Sequence, residues 1–146
     1  MSRRKTRQEL ALEYGATHII SERGDEGVAR IKRLTNGAGA DAVLECVGTQ
    51  ESMTQAIQCA RPGSMIGYVG VPHGVQFDGQ QLFFAQIGML GGPAPVRRFL
   101  PHLMDLVLER KINPGKVFDL ELPLAEVAEG YRAMDERRAI KTLLRV

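Results

Sequence analysis

Residues 41–48, DAVLECVG, and residues 64–72, SMIGYVGVP, decide the fold. Each is a nearly continuous apolar run of strand length. A sheet with one wet face would show in–out alternation, so these runs predict strands buried on both faces, as in parallel sheets. Between them QESMTQAIQCARPG (50–63) brings Met53, Ile57 and Ala60 to one side at helical spacing, and Pro62-Gly63 supplies a stop.

The alternation continues outward. TRQELALEYG (6–15) predicts a helix with Leu10, Leu12 and Tyr14 near one side and Gly15 as its left-handed stop. THIIS (17–21) is a short β-branched run. DEGVARIKRLTNG (25–37) spaces Val28, Ile31 and Leu34 helically, with acids first and Lys32 and Arg33 late, matching the helix dipole. GVQFDGQQLFFAQ (74–86) reads as a looser stretch before the short apolar IGMLGG (87–92). PVRRFLPHLMDLVLERK (95–111) predicts the longest helix, with Phe99, Leu103, Leu106 and Val107 inward. VFDLEL (117–122), LAEVAEGYRAMDERR (124–138) and IKTLLRV (140–146) read as strand, helix and strand. Such alternation predicts an α/β protein with a doubly wound parallel sheet flanked by helices. The expected division is a dinucleotide-binding part at 1–115 and a returning strand–helix–strand segment at 116–146.

Composition excludes several classes. An apolar fraction of 44% and a charged fraction of 25% are ordinary for a globular protein. The net charge of +2 is too small to imply nucleic acid, and no aromatic residues interleave the basic ones. No apolar run approaches a membrane span. The opening MSRRKTRQEL lacks the apolar centre of a secretory signal, and Glu9 and Glu13 arrive too early for a transit peptide. Two cysteines, Cys46 and Cys59, without metal spacing predict a reduced, cytoplasmic protein. Cys46 is expected to be a small buried hydrophobe, having no basic neighbour to lower its pKa.

Gly37-Ala38-Gly39-Ala40-Asp41-Ala42 fits the phosphate-loop pattern G-x-G-x-x-A letter for letter. The mechanism needs a loop that follows a strand and opens a helix, whereas this one closes a helix and precedes a strand. It is a decoy. Gly48 and Gly70 are better placed, at the carboxyl ends of the two central strands, where open α/β sheets hold ligands. Each is also consistent with a simple turn. Glu45 and Asp41 are strand-end hydrogen-bonding groups or mere surface. His18, His73 and His102 show no metal or triad spacing, and the residues alone reveal no reaction centre.

The succession GADAVLECVG (39–48), ARPGSMIGYVGVPHG (60–74), IGMLGG and the terminal IKTLLRV resembles the zinc-type medium-chain alcohol dehydrogenases over essentially the whole chain. The match is to their cofactor-binding domain and the return toward the catalytic domain. The resemblance implies a nicotinamide dinucleotide held by Cys46, Val47 and Gly48 at one strand end, and by Val69, Gly70 and Val71 at the next. It adds Leu90 in IGMLGG and Lys141 near the pyrophosphate. Ser2 stands where NAD-preferring members carry an acid that bonds the ribose hydroxyls, followed by Arg3, Arg4 and Arg7. A serine and arginines there favour a 2′-phosphate, and hence NADP. A solvated basic helix start is the plainer alternative.

The resemblance also implies an incomplete sheet. The family's first strand, glycine loop, first helix and most of its second strand have no counterpart, nor do the ligands of its zinc. The expectation is a truncated, inactive NADP-dependent dehydrogenase, with exposed strand edges and orphan strands VFDLEL and IKTLLRV driving rearranged pairing or a tight homodimer through IGMLGG. A half-enzyme completed by a separate chain, or a non-catalytic nucleotide-binding or dimerisation module, stays open. The substrate is not legible.

Overall fold

Thr49 starts the helix on which the first sheet is built. Its side chain accepts from the Ser52 N–H, and the Ser52 hydroxyl accepts from the Thr49 N–H, a reciprocal cap for α3 (Gln50–Cys59). Such a cap is worth about 1 kcal/mol. The helix ends three residues before Pro62 rather than at it, and β2 (Ala60–Tyr68) begins directly. Proline disfavours helical backbone in the residue before it, and Gly63 takes φ +78° within a register irregularity against β1 (Ala40–Glu45).

Residues 4–146 are described by the structure, a computed structural model, and they divide into two units, His18–Ala94 and Arg4–Thr17 with Pro95–Val146. In the first unit β1, β2 and β3 (Gly88–Gly91) form a parallel sheet in that order, joined by α3 and α4 (Gly79–Ala85). Met53, Ala56 and Ile57 of α3 pack on Ile66 and Ile87, with Val43, Leu82 and Met89 at the margin. Met53 and Ile66 are fully buried. Each such side chain contributes about 1.5–3 kcal/mol. Helix α2 (Gly24–Leu34) packs on α3, and its Gly24 N–H donates to Gln55 Oε1 at 3.1 Å.

The expected burial on both faces does not occur. Ala42, Leu44, Met65 and Leu90 share the face away from α3, and Leu44 is 81% exposed. The helices of this unit cover one face only. The apolar run DAVLECVG signalled a parallel strand correctly but could not say which neighbours cover it. THIIS forms no strand, because no described strand offers it a ladder partner. Helix α4 lies inside the stretch read as loose. Its start signal was present in Asp78, which accepts from the N–H groups of Gln80 and Gln81.

In the second unit β4 (Phe118–Pro123) and β5 (Lys141–Arg145) pair with each other in parallel, so the strands expected to be orphans find partners in the same chain. Helix α6 (Val127–Asp135) covers the pair. Gly130 allows the approach, since a Cβ there would lie 3.1 Å from Thr142 Cγ2. Asp119 accepts the Ile140 N–H at 2.8 Å and the Lys141 N–H at 3.2 Å. Helix α1 (Lys5–Glu13) is tied to the 113–116 turn by Tyr14 Oη–H to the Asn113 carbonyl and by the Glu13–Lys116 ion pair. Of the predicted inward side of this helix, Leu10 is half-buried, while Leu12 and Tyr14 are exposed. In α5 (Val96–Leu108) Leu106 and Val107 of the predicted inward side are half-buried, whereas Phe99 and Leu103 are exposed because α6, not α5, covers the small sheet.

Candidate functional site

The carboxyl ends of β1 and β2 meet backbone to backbone. Gly48 has φ +86°, and a Cβ there would stand 2.2 Å from the Val71 carbonyl oxygen. At Gly70 a Cβ would stand 2.4 Å from Gly48 N and 2.6 Å from Val47 N. The space a side chain would need at both positions is filled by the opposite loop. Glycine is required here by the crossing itself.

Glu45 holds the crossing from beneath. It is 4% exposed, at the last position of β1. Its Oε1 accepts the Val47 N–H at 2.8 Å, the Gly48 N–H at 3.0 Å and the Ser52 hydroxyl at 2.7 Å. Its main-chain oxygen accepts the Val69 N–H at 2.9 Å. One residue therefore ties together the end of β1, the turn into α3 and the end of β2. Burial opposes the carboxylate's charge, but the Gly48 N–H, the Ser52 hydroxyl and the Val47 N–H outweigh it and hold its pKa below the usual carboxylate range. The N-terminal end of α3 favours the same charge. The sequence offered this acid as a strand-end group without saying what it would bind.

Around this buried anchor the surface is apolar and open. Val47, Val69 and Val71 are exposed, and so is Cys46. The expectation of a buried Cys46 is thereby corrected. It stands one residue past β1, where the chain turns out of the sheet, and Cys59 at the end of α3 is the buried thiol. Burial pushes the Cys59 thiol up. Leu90 lies on the edge strand β3 opposite Gly67 and is 72% exposed.

The remaining candidates belong to the second unit, except that Ser2 and Arg3 lie outside the described residues. Arg4 occupies the N-cap of α1 and its guanidinium donates to the Arg137 carbonyl at 3.1 Å, on the turn that leads to Lys141. Arg7 is exposed one turn into the helix, and Lys141 is exposed at the start of β5. The structure thus joins Cys46–Gly48 to Val69–Val71 within one unit, and Arg4 to the approach of Lys141 within the other. The Gly37–Ala42 pattern does run from the end of α2 into β1, and Gly39 is needed there because a Cβ would stand 2.8 Å from the Cys59 carbonyl oxygen.

The carboxyl ends of these parallel strands thus present an anchored, apolar shelf. The zinc-binding dehydrogenase family matches residues 1–109. The chain belongs to that family.

Zinc-type alcohol dehydrogenase B of Aspergillus flavus is 31% identical over 142 residues, which are 96% of this chain and 33% of that protein. Alcohol dehydrogenase TADH from Thermus sp. ATN1 superposes with a TM-score of 0.88 at 30% identity, covering 98% of this chain and 43% of that one. A solved NAD-dependent alcohol dehydrogenase gives 0.85 at 27% identity, over 98% and 42%. The chain spans well under half the length of these relatives and corresponds to the family's cofactor-binding region. Among the described residues no three His, Cys, Asp or Glu side chains gather where a metal ion could be held, so the zinc of this family finds no ligand set in them. No helix among them is long and apolar enough to cross a membrane.

Proposed function

We propose that this chain is the cofactor-binding part of an NADP-dependent, zinc-type alcohol dehydrogenase. The exposed shelf of Val47, Val69 and Val71 over the Gly48–Gly70 crossing carries the reading. Apolar groups left in water at the carboxyl ends of parallel strands gain by burial against a flat ring, and open α/β sheets bind ligands there. When bound, the nicotinamide would supply the hydride-accepting carbon. The chain's own residues would hold the ring and exclude water from one side of it. The described residues gather no zinc ligand set for the alcohol chemistry, and on this reading the chain by itself would not turn over alcohol.

The preference for NADP rests on α1. Its first turn carries no acid, while Arg4 and Arg7 place positive charge where the helix dipole is already positive. An anion such as a 2′-phosphate would relieve that opposition through charge-assisted hydrogen bonds. Ser2 and Arg3 would complete the site, with Lys141 near the pyrophosphate. The exposed edge at Leu90 suits a homodimer that joins two sheets, and sedimentation across a range of concentrations checks it.

Calorimetric titration with NADPH, NADH and 2′-phospho-ADP-ribose tests the function. Preference for the 2′-phosphorylated ligands, weakened in Arg4→Ala and Arg7→Ala, supports NADP. Equal affinity for NADH would reject the preference, and no binding of any ligand would reject the cofactor-binding reading.

A further inference from the structure

We infer that Glu45 is the positioning residue of the nicotinamide-side shelf, an inference that rests on the cofactor-binding reading above. Its carboxylate is buried and holds the 46–48 turn directly, and its main-chain oxygen holds the 69–71 segment that crosses that turn. It takes the N–H groups of Val47 and Gly48, while its main-chain oxygen takes that of Val69. Its Oε2 lies where a Cβ of residue 70 would come within 2.7 Å, so it also bounds the Gly70 side of the crossing. Ser52 locks the carboxylate in turn, donating at 2.7 Å from the first turn of α3. The valines above are exposed. Their spacing is inherited from the backbone that Glu45 ties down.

Charge matters as well as shape. The Glu45 carboxylate accepts three donors, and a glutamine of the same outline would place an NH₂ group where Oε2 receives the Gly48 N–H at 3.2 Å. Two donors would then face each other, and the 46–49 turn would shift away from residues 69–71.

The test compares wild type, Glu45→Gln, Ser52→Ala and Ser52→Thr in the full chain, at a temperature where circular dichroism shows all four folded. NADPH probes the whole dinucleotide and adenosine 2′,5′-bisphosphate probes the adenosine half alone. Glu45→Gln is expected to weaken NADPH about tenfold, as loss of a hydrogen bond to a charged group does, and to leave the bisphosphate unchanged. Ser52→Ala is expected to weaken NADPH less, and Ser52→Thr, which keeps the hydroxyl, to restore it. If Glu45→Gln binds NADPH as wild type does, the inference is overturned while the cofactor reading stands. Parallel loss of both probes would make Glu45 merely structural and equally overturn it. A wild-type chain that binds neither probe would remove the cofactor reading, and this inference with it.

Discussion

The two parallel sheets use carboxylates in opposite ways. At the end of β1, Glu45 is buried and bound by main-chain N–H groups and one hydroxyl. On the β4–β5 pair, Glu121 faces Arg145 in the open, and Glu129 faces Arg138 from α6. Glu121 and Glu129 are held below the usual range by those arginine hydrogen bonds, with no help from burial. A buried acceptor cannot be replaced by water, so removing it leaves backbone donors unsatisfied; an exposed pair that is broken simply solvates. The first sheet should therefore be sensitive to chemistry at one point, and the second should not.

The sharpest way to break that contrast is steric. Gly48→Ala would set a methyl against the Val71 carbonyl at φ +86°, and it is expected to destabilise the first sheet by about 3 kcal/mol or more, read by urea unfolding. Glu45→Gln should follow, at about 1.5–3 kcal/mol, with faster hydrogen exchange confined to peptides covering residues 40–70. The pH dependence has a definite sign. The folded pKa of Glu45 lies below its unfolded value, so its stabilisation is complete above about pH 4.3 and disappears as pH falls through the lower folded value. Glu45→Gln should flatten the acid limb of the unfolding curve. An unchanged limb would mean that another carboxylate controls it.

Two smaller tests sharpen the comparison. Ser64 Oγ is buried and has no hydrogen-bond partner among the described residues, so Ser64→Ala should be neutral or stabilise by up to about 1 kcal/mol in the same unfolding assay. Arg145→Gln should leave the unfolding midpoint within error, because Arg145 and Glu121 are both exposed, and added salt should erase any residual effect. A resolved loss at Arg145 exceeding that at Glu45 would reverse the contrast.

Much of the fold was legible because it is local. The 3.6-residue spacing of Met53 and Ile57, the dipole-matched charges of α2, and the strand-length runs on either side of α3 all specify their own elements. The phosphate-loop pattern at Gly37–Ala42 was rejected from its position alone, and the structure places it between α2 and β1 as that argument requires. What failed was sidedness. The apolar letters of Leu44, Phe99 and Leu103 are the same whether a neighbour covers them or water does. In the site, Gly48 and Gly70 stood out by their places at strand ends, but nothing in one dimension revealed that they cross each other. Nor did anything there mark Glu45, a lone acid in an apolar run, as the group beneath them.

The sequence by itself determined most of the elements, their parallel order and the family, because periodicity, caps and motif succession are written in neighbouring residues. Tertiary structure alone decided which sheet face is bare, that β4 and β5 pair with each other, that Cys59 rather than Cys46 is buried, and that one residue, Glu45, holds two strand ends through its carboxylate and its main-chain oxygen. Those outcomes depend on contacts between residues far apart in the chain, where burial and donor–acceptor geometry exist only after the backbone has closed.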